Sequence, residues 1–291
     1  MKKPLFTGAC TALVTPFLNG EVNYPMLQQL IHRQINAGIE AIVLCGTTGE
    51  ASALTDSEKL KLFEKAKEYA EDHCLVIAGT GSNCTAHAIA LSKAAERCGA
   101  DALLIVSPYY NKAAPDGIFA HYAAIAQEVN IPIILYNVPT RTSLDIPVSV
   151  YKALSAIPNI LGVKEASTDL GKILAIKAEC PKDFSVWSGN DHLTVPIISV
   201  GGQGVISVVS NVFPELTQAM AKAALDGDFD TAAALQIELQ PLTAALFSQV
   251  NPIPVKAAMK LLGYDCGGCR LPLTTASDDV IKKLKSILSI E

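Results

Sequence analysis

The sequence lacks any run of about 18 consecutive apolar residues, the length that a membrane-spanning helix needs, although half of its 291 residues are hydrophobic. The basic start at Met1 to Lys3 imitates a signal peptide, but Pro4, Gly8 and Pro16 interrupt the continuous apolar stretch that such a peptide requires. The pattern therefore predicts a cytoplasmic protein with no membrane partner.

Positive charge is also scarce. The chain has 23 lysines and arginines against 28 acidic residues, which gives a net charge of −5, and no basic stripe accumulates anywhere along it. Binding to nucleic acid or to an anionic membrane needs such a stripe, so neither is expected as a partner. A small-molecule substrate is the better expectation.

Cysteine is present eight times, but not in the spacing of a disulfide framework or a zinc site. The cysteines are scattered through apolar segments, which is typical of free thiols in a reducing compartment. The one C-x-x-C motif, formed by Cys266 and Cys269, could be half of a zinc site, a redox pair or a glycine-rich surface turn. We favour the turn and expect no metal, because no second motif completes a zinc set. The roles of these two cysteines and of His192 are left open.

Short apolar segments alternate with helical patterns along most of the chain. Strands are predicted at residues 8–14, 41–45, 75–79, 102–106, 131–136, 160–164, 184–187 and 204–208, and helices at 24–37, from Thr55 onward, and at 86–98, 115–127, 147–156, 170–179 and 193–200. Strands that are apolar on both faces and alternate with helices indicate a parallel sheet. Eight such units in about 250 residues predict a (β/α)8 barrel. The competing open, doubly wound sheet lacks its glycine fingerprint, since residues 79–81 (GTG) miss the third glycine.

From residue 228 onward only helices are predicted, at about 230–248, 254–262 and 277–288. We therefore divide the chain into a barrel catalytic domain, residues 1–227, and a C-terminal helical extension, residues 228–291.

Lys164 is the main candidate for a catalytic residue, because it ends the sixth predicted strand. In barrel enzymes the chemistry lies at the C-terminal ends of the strands. Partial burial would lower the pKa of the amine and leave more of it neutral and nucleophilic. Alternation along the strand turns Glu165 to the other side, so this acid need not pair with the amine. Taken alone, however, a surface lysine at a strand end is the commoner case.

Other polar side chains follow neighbouring strands. Tyr136 ends the fifth strand, next to Lys164, so its phenol could move protons to and from the amine. Residues 46–49 (GTTG) offer convergent N–H groups and two hydroxyls, which suit a small carboxylate, although a plain turn is the alternative. Arg141 could hold a second carboxylate in a bidentate grip, unless it is simply a solvated loop residue. Tyr109 and Tyr110 add two phenols near the same rim.

These residues resemble the dihydrodipicolinate synthase family of the pyruvate-lyase superfamily. The resemblance covers nearly the whole chain, in order, at residues 46–50 (GTTGE), 108–111 (PYYN), 136–142 (YNVPTRT), 162–166 (GVKEA), 188–191 (SGND), 251–256 (NPIPVK) and 270–273 (RLPL). It implies condensation of pyruvate with L-aspartate 4-semialdehyde to 4-hydroxy-tetrahydrodipicolinate, on the path to lysine, with no metal or organic cofactor.

The resemblance also implies a role for each site residue. Lys164 would form a Schiff base with pyruvate, and the derived enamine would attack the aldehyde. Tyr136, Thr47 and Tyr110 would form a proton relay, with Tyr110 supplied by a partner subunit of a homo-oligomer, expected to be a tetramer built as a dimer of dimers. The remaining contacts would be Thr48 to the pyruvate carboxylate, Arg141 to the carboxylate of the semialdehyde, and backbone atoms of Gly189 and Ile206 around pyruvate.

One departure from the family pattern concerns regulation. Lysine-inhibited members carry an Asn and, four residues later, a Glu after the third strand, a Tyr before the relay Tyr, and a His early in the second helix. Asn83 and Tyr109 are kept here, but His87 stands at the acidic position and Asp56 at the histidine; Ala51 is a further position of that site. Losing a buried carboxylate that faces an ammonium weakens binding, so we predict weak or absent inhibition by L-lysine.

Two other functions fit part of the pattern. N-acetylneuraminate lyase and the keto-deoxy sugar-acid aldolases would share Lys164, Tyr136 and residues 46–50, but they usually differ at Arg141. A non-catalytic barrel that binds pyruvate would be favoured by loss of the lysine, the phenol or the threonines, and all are present.

Overall fold

Eight parallel strands close into a barrel in the computed structural model, which describes residues 2–290. Each strand pairs with the next along the chain, and the first pairs with the last. The strands are β1 Gly8–Ala12, β2 Ala41–Leu44, β3 Leu75–Gly79, β4 Ala102–Val106, β5 Ile133–Asn137, β6 Ile160–Glu165, β7 Ser185–Ser188 and β8 Gly204–Ser207. The predicted (β/α)8 barrel is confirmed.

Helices surround the barrel and continue beyond its last strand. They are α1 Tyr24–Asn36, α2 Asp56–Ala70, α3 Thr85–Arg97, α4 Pro115–Gln127, α5 Pro139–Thr142, α6 Val148–Leu154, α7 Leu170–Glu179, α8 Thr194–Ser199, α9 Pro214–Leu225, α10 Phe229–Leu246, α11 Ile253–Leu261 and α12 Asp278–Ile287. Within residues 2–290, no helix combines the length and the apolar character that crossing a bilayer requires.

Most predicted boundaries agree with the structure to within two residues. Strand β5 begins at Ile133 rather than at residue 131, because Pro132 has no N–H group to offer to the sheet. No bounds were predicted for helix α9, and the short helix α5 and a two-stranded hairpin, Phe17–Leu18 with Glu21–Val22, were not predicted at all. Segments of two to four residues are too short to show a period.

The start of α2 illustrates how local sequence sets a boundary. The Thr55 hydroxyl accepts a hydrogen bond from the Glu58 N–H at 3.3 Å, and the Glu58 carboxylate accepts one from the Thr55 N–H at 2.8 Å. Thr55 and Glu58, three positions apart, therefore form a capping box, which agrees with the predicted helix start at Thr55. The capping box fixes Thr55 as the last residue of the loop after β2, directly before the first residue of α2.

The barrel is closed at the N-terminal ends of its strands. Phe6, which precedes β1, stacks there on the ring of Trp187 in the barrel interior, with ring centroids 5.0 Å apart. Below it, the Lys2 ammonium donates to the carbonyls of Ser155, Ile157 and Ile160, each at 2.8 Å. The cavity described below lies at the opposite face, at the C-terminal ends of the strands.

The extension is continuous with the barrel through its apolar side chains. Leu242 and Leu246 of α10, Met259 of α11 and Leu284 of α12 are buried in the same layer that lies between the strands and the surrounding helices. The extension also closes over part of the C-terminal face, where Val250 and Pro272 reach the cavity described below.

Candidate active site

A cavity of about 660 Å³ opens at the C-terminal ends of the strands. The loop after β2, the loop after β3, helix α5 and the extension all contribute to its wall. Polar and charged residues on this wall include Thr47, Ser82, Tyr136, Arg141, Asn251 and Arg270. The cavity therefore lies where the chemistry of barrel enzymes is found.

Lys164 lies beside this cavity on β6. Its side chain is 5% exposed, and the sheet register places it between Tyr136 on β5 and Trp187 on β7. The Lys164 Nζ is 4.4 Å from the centroid of the Tyr136 ring. Tyr136 lines the cavity itself, whereas Lys164 does not, so the amine lies against the ring that forms part of the wall. Lys164 and Tyr136 are therefore neighbours, as the ends of their two strands predicted.

Glu165 faces the opposite side of the strand, as alternation requires. Its carboxylate is fully buried and accepts hydrogen bonds from the Tyr151 hydroxyl at 2.9 Å, the Asn137 amide at 2.7 Å and the Ser167 N–H at 2.8 Å. The Lys172 ammonium is 3.6 Å away. The acid next to Lys164 is thus bound outside the barrel, and within residues 2–290 no carboxylate forms an ion pair with the amine.

The loop after β2 brings two threonines to the site. Thr47 lines the cavity, while the buried Thr48 hydroxyl accepts a hydrogen bond from the Asn251 amide at 2.9 Å. The loop lies so close to β3 that a Cβ atom on Gly79 would overlap the Cys45 carbonyl oxygen. Only glycine at this position lets the two segments meet.

Gly189 comes directly after β7, and Ile206 lies near the C-terminal end of β8, at the same edge of the barrel. The Gly189 N–H donates to the Glu165 carbonyl at 2.7 Å, and Ile206 is fully buried inside the barrel. A Cβ on Gly189 would come within 2.6 Å of the Ala166 Cβ, so the backbone here also approaches closely.

Asp191 was not singled out from the sequence, although it belongs to the SGND motif. It is buried and accepts hydrogen bonds from the Ser207 hydroxyl and from the N–H groups of Val208, at 3.0 Å, and Val209, at 3.3 Å. Burial raises the pKa of this carboxyl, while these bonds and the charge of Lys164 oppose the rise. Asp191 thus ties the ends of β7 and β8 together within electrostatic reach of the amine.

Arg141 lies on α5, at the mouth of the cavity. Its side chain is exposed, and among residues 2–290 no hydrogen bond or ion pair engages its guanidinium. A guanidinium in this state is available to an anionic ligand.

Tyr110 is the one predicted relay residue that its own chain does not bring to the site. It is 87% exposed, has a positive φ of 73° and does not line the cavity. Tyr109, its neighbour, is 39% exposed and does line the cavity.

Four of the five predicted regulatory positions lie on the cavity wall: Ala51, Asp56, His87 and Tyr109. The fifth, Asn83, does not line the cavity, and its carbonyl accepts a hydrogen bond from the Asn111 amide at 2.8 Å. The two positions that depart from the family pattern contact each other, since His87 Nε2 is 2.7 Å from Asp56 Oδ2. The Asp56 pKa is lowered chiefly by this hydrogen bond.

The C-x-x-C motif lies in the connection between α11 and α12. Burial raises the pKa of the Cys266 thiol to about 12 and that of Cys269 to about 11. Both thiols are therefore protonated at neutral pH, which opposes thiolate chemistry. His192 is exposed, and no group of three or more metal-ligating side chains occurs within the part of the chain that the structure describes.

Fold and site together define a class: a (β/α)8-barrel protein with an enzyme-type pocket at the C-terminal face of the barrel, beside a buried lysine on the sixth strand. A model of the dihydrodipicolinate synthetase family matches residues 5–291. The chain belongs to that family.

Relatives and solved structures agree with this assignment. A 4-hydroxy-tetrahydrodipicolinate synthase from Acetivibrio thermocellus is 47% identical over 289 residues, which cover 99% of this chain and 98% of the relative. Among solved structures, dihydrodipicolinate synthase from Aquifex aeolicus is 43% identical with a TM-score of 0.96, covering 98% of this chain and 97% of that one. The enzyme from Acinetobacter baumannii, solved in complex with pyruvate, is 38% identical with a TM-score of 0.96 and covers 98% of both chains.

Proposed function

We propose that this protein is a 4-hydroxy-tetrahydrodipicolinate synthase, which condenses pyruvate with L-aspartate 4-semialdehyde. The observation that carries the proposal is the buried amine of Lys164 against the Tyr136 ring, beside a cavity with a guanidinium at its mouth. The name carried by full-length relatives supports the same reaction and not a sugar-acid lyase.

The amine of Lys164 attacks the keto carbon of pyruvate, and the resulting carbinolamine loses water to give an imine. Loss of the hydroxyl requires a proton, which the Tyr136 phenol delivers with the Thr47 hydroxyl as the next member of the relay. The Thr48 hydroxyl and backbone atoms at Gly189 and Ile206 hold pyruvate in place.

Removal of a proton from the methyl carbon converts the imine to an enamine, whose carbon attacks the aldehyde of the second substrate. Arg141 binds the carboxylate of that substrate in two parallel hydrogen bonds. The amino group of the adduct then closes the ring and displaces Lys164, which restores the free amine.

The assembly belongs to the same proposal. Tyr110 is exposed in one chain and would complete the relay in the site of a neighbouring subunit, so the active form is at least a dimer. We propose a tetramer built as a dimer of dimers and a cytoplasmic location.

The test is intact-mass spectrometry after borohydride reduction in the presence of pyruvate. The wild type should gain one reduced pyruvyl group per chain, and Lys164→Ala should gain none. Lys177→Ala on α7 is the matched control, because this lysine is half-buried and burial lowers its pKa, but it lies in the helical layer outside the barrel and should keep the adduct. A wild-type protein without an adduct would refute the Schiff-base mechanism.

A further inference from the structure

A buried ion pair joins the loop after β2 to the C-terminal extension. The Glu50 carboxylate is 2.6 Å from the Lys256 ammonium, and the two side chains are 1% and 3% exposed. Neither residue has a part in the proposed chemistry. Removing two charges from water opposes folding, and the attraction between them offsets that cost only in part, so a buried pair need not stabilise the fold.

Both partners are held in place by further contacts. The second oxygen of Glu50 accepts a hydrogen bond from the Arg270 N–H at 2.8 Å. The Lys256 ammonium donates to the Gly268 carbonyl at 3.0 Å and lies 4.3 Å from the centre of the Phe17 ring. The pair is therefore anchored to the extension at Gly268 and Arg270 and to the beginning of the chain at Phe17.

Glu50 comes two residues after Thr48 and is strained. Its φ is 56°, in the left-handed region, which a residue with a side chain occupies only when its surroundings impose it. Its N–H donates to the Thr47 carbonyl at 3.1 Å, so the loop turns directly at the threonines. A second link, from Asn251 of the extension to the Thr48 hydroxyl, acts on the same turn.

We propose that the Glu50–Lys256 ion pair is a positioning device, through which the C-terminal extension holds Thr47 and Thr48 in their reactive geometry. The inference rests on the proposed function, from which the two threonines take their roles. A displacement of about 1 Å in a catalytic group can cost roughly a hundredfold in rate, so a rigid anchor two residues away affects catalysis directly.

The first variant is Lys256→Met, which removes the charge and keeps much of the side-chain volume. We expect kcat to fall roughly ten- to hundredfold and the KM for pyruvate to rise, because both threonines shift when Glu50 is released. The rate of borohydride-trapped adduct formation with pyruvate should fall in parallel. Leu284→Ala, a buried truncation in α12, which packs against α10 and α11, is the control: it should lower Tm but leave kcat and KM within about twofold below Tm.

The decisive variant combines Glu50→Gln with Lys256→Met, because it leaves no uncompensated charge in the interior. We expect its Tm to return close to that of the wild type while kcat stays reduced. Recovery of both Tm and kcat would overturn the proposal, since the pair would then serve stability alone. Equal loss of kcat in Leu284→Ala would also overturn it.

The same experiments separate this inference from the proposed function. If the wild type forms no pyruvyl adduct, the proposed function fails. If the wild type forms the adduct and Lys256→Met traps it at the wild-type rate, only the positioning role fails. Should Lys256→Met not fold, the double variant still decides between the two outcomes.

Discussion

Lys164 and Glu165 are neighbours in the chain with opposite surroundings. The amine lies against Tyr136 inside the barrel, whereas the carboxylate is bound outside it by Tyr151, Asn137 and Lys172. The period-2 alternation of a strand predicted this separation from two letters of sequence. What alternation could not supply is the set of partners that bind the acid, because they come from other segments.

Arg141 carries the first prediction at this scale. Its exposed guanidinium has no protein partner within residues 2–290, so Arg141→Ala should leave Tm unchanged. The KM for L-aspartate 4-semialdehyde should rise roughly ten- to hundredfold, because hydrogen bonds to a charged group contribute about 1.5–3 kcal/mol. Arg141→Lys should recover only part of the loss, since an ammonium cannot make the bidentate contact. Steady-state kinetics with each substrate varied will show whether the KM for pyruvate stays constant, as it should; an unchanged KM for the semialdehyde would contradict the assignment.

A second prediction concerns His87 and Asp56. They form a hydrogen bond with each other, with 2.7 Å between His87 Nε2 and Asp56 Oδ2. Because no carboxylate stands at position 87 to meet an ammonium group, L-lysine should inhibit weakly or not at all. Combining Asp56→His with His87→Glu restores the family pattern and should introduce inhibition, while Asp56→His alone should not. Initial rates measured over a series of lysine concentrations test this; half-maximal inhibition of the wild type at sub-millimolar lysine would contradict it.

At the scale of elements, the loop after β2 and helix α2 show how a local signal is completed by a distant segment. The capping box of Thr55 and Glu58 was predictable from their spacing. The same Glu58 carboxylate, however, also accepts two hydrogen bonds from the Arg270 guanidinium, at 2.6 and 3.0 Å. One acid thus ends the loop and fastens it to the extension.

This arrangement predicts a dependence of stability on pH. The hydrogen bonds from Arg270, followed by those from Thr55, lower the Glu58 pKa from 4.5 to about 2. A carboxyl group with a lowered pKa stabilises the folded state fully above its unfolded pKa, and this contribution is lost as the pH falls through the folded value. The difference in unfolding free energy between the wild type and Glu58→Gln should therefore be constant above about pH 5 and shrink between 4.5 and about 2.

Urea unfolding of both proteins at a series of pH values measures this difference. Glu68→Gln on the same helix is the matched control, because its exposed pair with Lys65 should contribute little at any pH. A difference for Glu58→Gln that stays constant down to pH 2.5 would show that the bonds to Arg270 do not favour the ionised form.

At the scale of the whole molecule, one chain leaves its proposed site incomplete. Tyr110 is 87% exposed and lies outside the cavity of its own chain, so the proposed relay requires a second subunit. Mixing Tyr110→Ala with Lys164→Ala under conditions of subunit exchange should restore activity that neither variant has alone. Hybrid dimers contain one site with both residues, which gives at most about a quarter of wild-type activity in a random mixture.

The exchange experiment is read by steady-state rates against the ratio of the two variants, with unmixed samples treated identically as controls. A mixture no more active than the sum of its parts would contradict donation of Tyr110 in trans. Sedimentation of the wild type over a range of concentrations tests the proposed tetramer separately.

The sequence by itself determined the barrel, the strand ends and the residues at them. Hydrophobic period, strand length and helix caps are local properties, and in a parallel barrel the order of the strands follows the order of the chain. The sequence alone therefore predicts that Lys164 and Tyr136 are neighbours on adjacent strands, as the sheet register shows.

Only the tertiary structure decided how the extension meets the site. Asn251 and Thr48 are 203 positions apart in the chain, yet they share a hydrogen bond, and Glu50 is paired with Lys256 in the interior. No period or cap signals such contacts, because they depend on how whole helices pack against the barrel and on which polar groups that packing buries. A buried charge needs a partner, and which residue becomes that partner depends on its position in the folded molecule and not on its separation along the chain.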